Sequence, residues 1–155
     1  MFYQNIKTMS TRTKINQKDP AYHAMMALGE YLTTTPLTAK HHELIKIRTS
    51  QINGCAFCID MHTRDARKEG ETEQRIYALS VWRDTPFFDE QERALLALTE
   101  EVTLIGNHVS DDTYNKAAAV FEPAYLTAIL MAIIAINSWN RFAITTHMED
   151  FLKVG

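Results

Sequence analysis

Cysteine is nearly absent from this chain, with two residues in 155, and that scarcity argues against a fold stapled by several disulfides. Glycine and proline are also few, at five and four; there is no Gly/Ser linker, no low-complexity tract and no internal repeat. No segment alternates at period two for long enough to argue a strand. A basic block is missing as well: sixteen Lys and Arg stand against nineteen Asp and Glu, a formal charge of -3. Nucleic acid is therefore not an expected partner, because nothing is available to neutralise its phosphates. The longest apolar run, Ala128 to Ile136, is less than half of the roughly 20 residues that cross a bilayer, so no membrane partner is expected. The first residues lack the basic segment, apolar run and small-residue cleavage site of a signal peptide. A cytoplasmic location is the expectation, and in a reducing compartment a close cysteine pair is expected to be redox-active or metal-binding.

What is present reads as one all-α domain of about seven helices, over residues 20–155, preceded by a polar N-terminal arm over residues 1–19. With 46% hydrophobic residues the chain can bury a sizeable core. Asp19 and Pro20 make a cap and first-turn pair, followed by Ala21, Met25, Leu28 and Leu32 at helical spacing. Thr35-Pro36 repeats the start signal, with Leu37, Leu44, Ile45 and Ile52 in one stripe until Asn53-Gly54 breaks it. A third helix is expected from the cysteines to Lys68 or Glu69, closed by Gly70. A short one follows over Glu73 to Val81, with Ile76 and Leu79 inward, and a loop over Trp82 to Phe88. Asp89 and Glu92 form a capping-box pair ahead of Leu95, Leu98, Val102 and Ile105, a stripe closed by Gly106. Ser110 caps a helix carrying Tyr114, Ala117, Ala118 and Phe121. The last helix is expected from Pro123 to about Asp150, apolar on every side around Leu126, Ile129, Leu130, Ile133 and Ile134. One domain can cover only part of such a helix, so a homo-oligomer is expected.

Both cysteines lie in Asn53-Gly54-Cys55-Ala56-Phe57-Cys58-Ile59-Asp60-Met61-His62. On a helix of about 100° per residue, positions 55, 58 and 62 fall within roughly 60° of one another. Both sulfurs and the imidazole then share a face, with Thr63, Arg64 and Arg67 opposite in water. Cys55 sits at a helix N-terminus, where free N–H groups favour a thiolate, and His62 is one turn from Cys58, where it can take a proton. One sulfur of such a pair can attack an oxidant to give a sulfenic acid and the other can close a disulfide. Cys58, deeper and beside His62, is assigned as the residue that meets a small peroxide. Cys55, at the helix end and better placed to meet a partner protein, is the resolving residue. Glu43, on the helix before Asn53-Gly54, can orient His62.

Glu43, Cys55-Ala56-Phe57-Cys58 and His62 together reproduce the Glu…Cys-x-x-Cys-x-x-x-His signature, and by it the chain resembles the alkylhydroperoxidase AhpD-like proteins of the carboxymuconolactone decarboxylase superfamily. The resemblance extends over about Leu37 to Glu101, with Asn137 to Arg141 also matching a stretch of the last helix. It implies an all-helical, oligomeric fold, a dimer or a trimer of dimers, and thiol-dependent peroxidase activity. Glu43, Cys55, Cys58 and His62 match the proton-relay and redox residues. It also implies a small hydroperoxide substrate, a dithiol, thioredoxin-like or lipoyl electron donor, and no cofactor beyond the cysteine pair. AhpD carries a second histidine where this chain has Phe57. Carboxymuconolactone decarboxylases proper generally lack the cysteine pair, which disfavours lactone decarboxylation here.

Two other readings of the same residues stand beside this one. The pair with His62, and His41 or His42 as a fourth ligand, has the makings of a zinc site, or the dithiol serves as a non-enzymatic redox switch. Against zinc, this chain has ample apolar surface for a core and does not need a metal to fold. A c-type haem site is excluded because Ile59 stands where its histidine would be. Trp82, Phe87 and Phe88 either line a pocket mouth or pack under a loop. Trp139, Asn140 and Arg141 either build a subunit contact or support the site.

Overall fold

The computed structural model describes residues 12–152, which form seven α-helices and no strand. Residues 1–11 of the expected arm lie outside the described residues. The helices are α1 (Pro20–Thr33), α2 (Ala39–Asn53), α3 (Ala56–Lys68), α4 (Glu73–Ala78), α5 (Glu90–Thr103), α6 (Asp111–Val120) and α7 (Pro123–Thr145). Most begin where a short polar side chain meets free N–H groups of a first turn. Asp19 accepts from the Ala21 N–H at 2.8 Å, Asp89 and Glu92 form a reciprocal capping box, and Ser110 accepts from the Thr113 N–H at 3.2 Å.

Three boundaries differ from the sequence expectation, each for a local reason. α2 starts after Thr38, whose hydroxyl accepts from the His41 N–H, and not at Thr35-Pro36, because the Thr34 and Thr35 N–H groups are used to finish α1 on Tyr31 and Leu32. α5 ends at Thr103, and Gly106 falls inside a 3-10 turn, Ile105–Asn107, that leads into His108 at positive φ. α7 ends at Thr145, where His147 turns left-handed and a 3-10 turn, Met148–Phe151, follows. The carbonyls freed at that helix end are taken by cations from the N-terminal segment: Arg12 donates to Thr145 O at 2.9 Å and Lys14 to Thr146 O at 2.6 Å.

α2, α5 and α7 form the centre. Leu44, Ile45 and Ile47, Leu95, Leu96 and Leu98, and Ile129 and Ile133 are the fully buried anchors, each contributing on the order of 2 kcal/mol. Trp82 and Phe88 are buried and Phe87 packs against the same core, so these aromatics hold the α4–α5 connection and do not line a pocket mouth. α7 is long and apolar enough, by length and composition, to cross a membrane. In this fold it is the central helix, and Leu126, Ile129 and Ile133 of the expected all-round apolar surface are covered by the chain's own core. Ile134 remains exposed at 47%. α1 is a lighter layer laid on α7: of its expected stripe only Leu32 is buried, while Met25 and Leu28 are half-buried and Ala21 is exposed.

Candidate active site

Gly54 makes the site possible by reversing the chain between α2 and α3. It stands at φ +71, a region L side chains rarely adopt, and the Ser50 carbonyl accepts from the N–H of both Gly54 and Cys55. α3 therefore folds back along α2, and Cys55 becomes its N-cap, with Sγ accepting from the Cys58 N–H at 3.3 Å. The two sulfurs are joined as a disulfide, with Cα atoms 5.3 Å apart. Cys55 and Cys58 are 1% and 2% exposed and are packed by Phe57, Ala143 and Met148. Cys55 is thus no more open to a partner protein than Cys58, contrary to the reading from its place at the helix end. The half-buried Met148 on the turn after α7 packs against the pair.

His62, one turn along α3, is buried against α2, where its Nδ1 stands 3.2 Å from Glu43 Oε2. The two atoms face each other without the alignment of a well-formed hydrogen bond, and neither has another hydrogen-bond partner among the described residues. The other Glu43 oxygen, Oε1, accepts from Lys46 Nζ at 2.8 Å. Burial opposes ionisation of Glu43, but the neighbouring His62 and Lys46 outweigh it and hold the carboxyl below its ordinary range. The four residues singled out from the sequence come together as an array across the α2–α3 interface: the joined Cys55 and Cys58, His62, and Glu43 behind it.

Beside this array lies a cavity of about 410 Å³ between α1, α2, α3 and α7. Cys58 and His62 border it and Cys55 does not. The room comes from small side chains: Gly29 on α1, where an added Cβ would meet nothing within 4 Å, and Ala132, Ala135 and Ala143 on α7. Tyr22, Met26, Leu32, Phe57, Met61, Ile136 and Trp139 supply most of the apolar wall. α2 and α3 contribute Cys58, His62, His42 and Lys46 to the lining. His42 is a residue the sequence reading considered only as a zinc ligand. Burial, then the Lys46 charge, pushes its pKa down to about 4. Its neighbour His41 points elsewhere, with Nδ1 2.6 Å from the Tyr125 hydroxyl at the α2–α7 crossing.

The stretch at the end of α7 is divided in its work. Trp139 lines the cavity. Asn137 and Asn140 each accept from Asn53 Nδ2, at 2.9 and 3.0 Å, and Asn140 donates to Ser50 Oγ at 3.0 Å. Arg141 donates back to Asn137. These bonds fix the end of α2 from which Gly54 and Cys55 depart.

Comparison with known proteins gives a consistent picture. The model of the carboxymuconolactone decarboxylase family matches residues 19–101. The uncharacterised protein YdfG of Bacillus subtilis is 46% identical over 121 residues, covering 77% of this chain and 82% of that protein. The crystal structure of a protein of unknown function from Agrobacterium tumefaciens, proposed by its name to be the antioxidant defence protein AhpD, superposes with a TM-score of 0.85 at 42% identity. That match covers 89% of this chain and 96% of the other. The debrominase Bmp8 shares the fold at a TM-score of 0.73 and 17% identity, over 81% of this chain and 68% of its own.

Proposed function

The chain belongs to the carboxymuconolactone decarboxylase family, and on that premise we propose that it is a thiol-dependent hydroperoxide reductase of the AhpD-like type. The observation that carries the reading is the position of Cys58: one sulfur of a bonded pair, at the wall of an apolar cavity, one turn from a histidine backed by a carboxylate. In the reduced state His62 takes the Cys58 proton, and Glu43 steadies the imidazolium that results. The Cys58 thiolate attacks the distal oxygen of the hydroperoxide; the O–O bond breaks, and its electron pair leaves on the other oxygen. That oxygen departs as the alcohol with the proton His62 had taken. Cys55 then attacks the sulfur of the Cys58 sulfenic acid, forming the disulfide and releasing water. An external dithiol reduces the pair and is itself oxidised, so one hydroperoxide and two thiols give one alcohol, one water and one disulfide.

Such a cycle needs a compartment that returns the pair to thiols, which suits the cytoplasm. The partly exposed apolar side chains on α1 and α7, Met26 and Ile134 among them, suit assembly with further copies of the chain. The test is consumption of cumene hydroperoxide by the purified, prereduced protein with dihydrolipoamide as donor. Multiple turnovers are expected. A protein whose thiols stay reduced in excess peroxide would overturn the reading, and stoichiometric zinc on the thiols would favour a metal clamp instead.

A further inference from the structure

His42 and Lys46 are one turn apart on α2, and both open into the cavity that Cys58 and His62 border from α3. Lys46 is engaged, with its ammonium on Glu43. His42 is not: its ring has no hydrogen-bond partner among the described residues, although it stands mostly buried in the wall of a mostly apolar chamber. The imidazole carries one donor and one acceptor, and neither is used within the described residues, so both are open to a molecule that enters the chamber.

Building on the hydroperoxide reading above, we propose that His42 is a catalytic residue that binds substrate, donating a hydrogen bond to the oxygen that leaves when Cys58 attacks. The ligand class is a compact organic molecule with one oxygen acceptor at its end, the hydroperoxide before reaction and the alcohol after it. An apolar body fits against Trp139, Leu32 and Ile136, and its oxygens fit beside Cys58, His62 and His42 of α2 and α3. As the Cys58 sulfur bonds the distal oxygen, negative charge develops on the other, and a donor fixed at that point gains strength in the transition state. His42 does not supply the proton that ends on the alcohol; that proton is the one His62 removed from Cys58. The protein keeps His42 neutral through burial and then the Lys46 charge, which together outweigh the opposing pull of Glu43, so the ring acts as a polarising donor and does not compete for the thiol proton.

The experiment compares wild type with His42→Leu and His42→Gln, the second retaining a donor. Three quantities are read: kcat/KM for cumene hydroperoxide, the rate at which iodoacetamide alkylates the reduced protein, and the affinity of the oxidised protein for cumyl alcohol by Trp fluorescence. For His42→Leu, kcat/KM is expected to fall about 10²-fold, the scale of losing one transition-state donor. Alcohol affinity is expected to fall about three- to tenfold, the scale of one neutral hydrogen bond. Alkylation should be unchanged, and His42→Gln should recover much of both losses. Unchanged alcohol affinity in His42→Leu overturns the proposal, as does alkylation falling in step with peroxide turnover, which would place His42 on the thiol and not on the substrate. A wild type that binds cumyl alcohol through His42 but turns over no peroxide would overturn the hydroperoxide reading and leave the binding site standing.

Discussion

Asn53, on the last turn of α2, donates to Asn140 Oδ1 of α7 at 3.0 Å across 87 residues of sequence, immediately before the chain reverses at Gly54 into the cysteine helix. Asn140 is completely buried and also donates to Ser50, so its amide is used on both sides. Replacing it by Leu strands the Ser50 hydroxyl and one Asn53 contact in the core. A loss of about 1–3 kcal/mol in urea unfolding is expected. A change below a few tenths would show that the bridge does not stabilise the reversal.

The two cysteines are expected to fail differently. Cys58→Ser should abolish peroxide consumption, because the sulfur that borders the cavity is gone. Cys55→Ser should undergo a single oxidation and stop at a sulfenic acid or mixed disulfide that mass spectrometry detects after dimedone trapping. If Cys55→Ser blocks the first oxidation and Cys58→Ser does not, the roles are reversed.

His62→Ala should slow oxidation of the reduced protein by about 10²-fold or more, and Glu43→Gln by less, the scale of losing an acid–base group and its orienting partner. Thiolate formation, followed by its ultraviolet absorbance, should move to higher pH in His62→Ala. Coincident titrations of variant and wild type would remove the histidine from its role as base.

Stability should fall as the solution is acidified from about pH 6.5 toward 4. His42 has an ordinary value of 6.5 that the fold pushes down to about 4. Over that window the unfolded chain binds a proton that the folded chain refuses. The contribution is fully present above 6.5, declines with pH and is gone below 4. Its full size is about 3 kcal/mol. His42→Gln should flatten this limb of the unfolding free energy against pH, and an unaltered profile would count against a buried, neutral His42.

Assembly is best tested on the face that the fold leaves open. Light scattering is expected to give a multiple of the 17.8 kDa chain mass, and Ile134→Glu should reduce it while leaving the helical circular dichroism intact. Ile133→Glu, one residue earlier but completely buried, should unfold the chain whatever its assembly. A wild type that stays at the single-chain mass at high concentration would show that no oligomer forms.

Features written within a few residues of one another were legible without a structure. Asp19, Ser110 and the Asp89–Glu92 pair cap helices by bonds to the next turn, and Cys58 and His62 share a face through the helical period with Cys55 at the N-cap before them, so local chemistry was enough to place them. Helix ends were less legible. Thr35-Pro36 reads as a start signal, but α2 starts after Thr38 because the preceding turn has used the Thr34 and Thr35 N–H groups. What lies between helices was decided by tertiary structure. Glu43 could be suspected from its spacing, but its 3.2 Å approach to His62 depends on how α2 and α3 cross. The cavity exists because Gly29, Ala132 and Ala135, from helices far apart in sequence, leave room at the same point in space. Phe57, Ala143 and Met148 pack around the cysteine pair, and Cys55 is buried despite its place at a helix end. Hydrogen bonds and periodicity act over one or two turns and can be read along the chain, whereas exposure and shared space depend on every helix that packs around a residue.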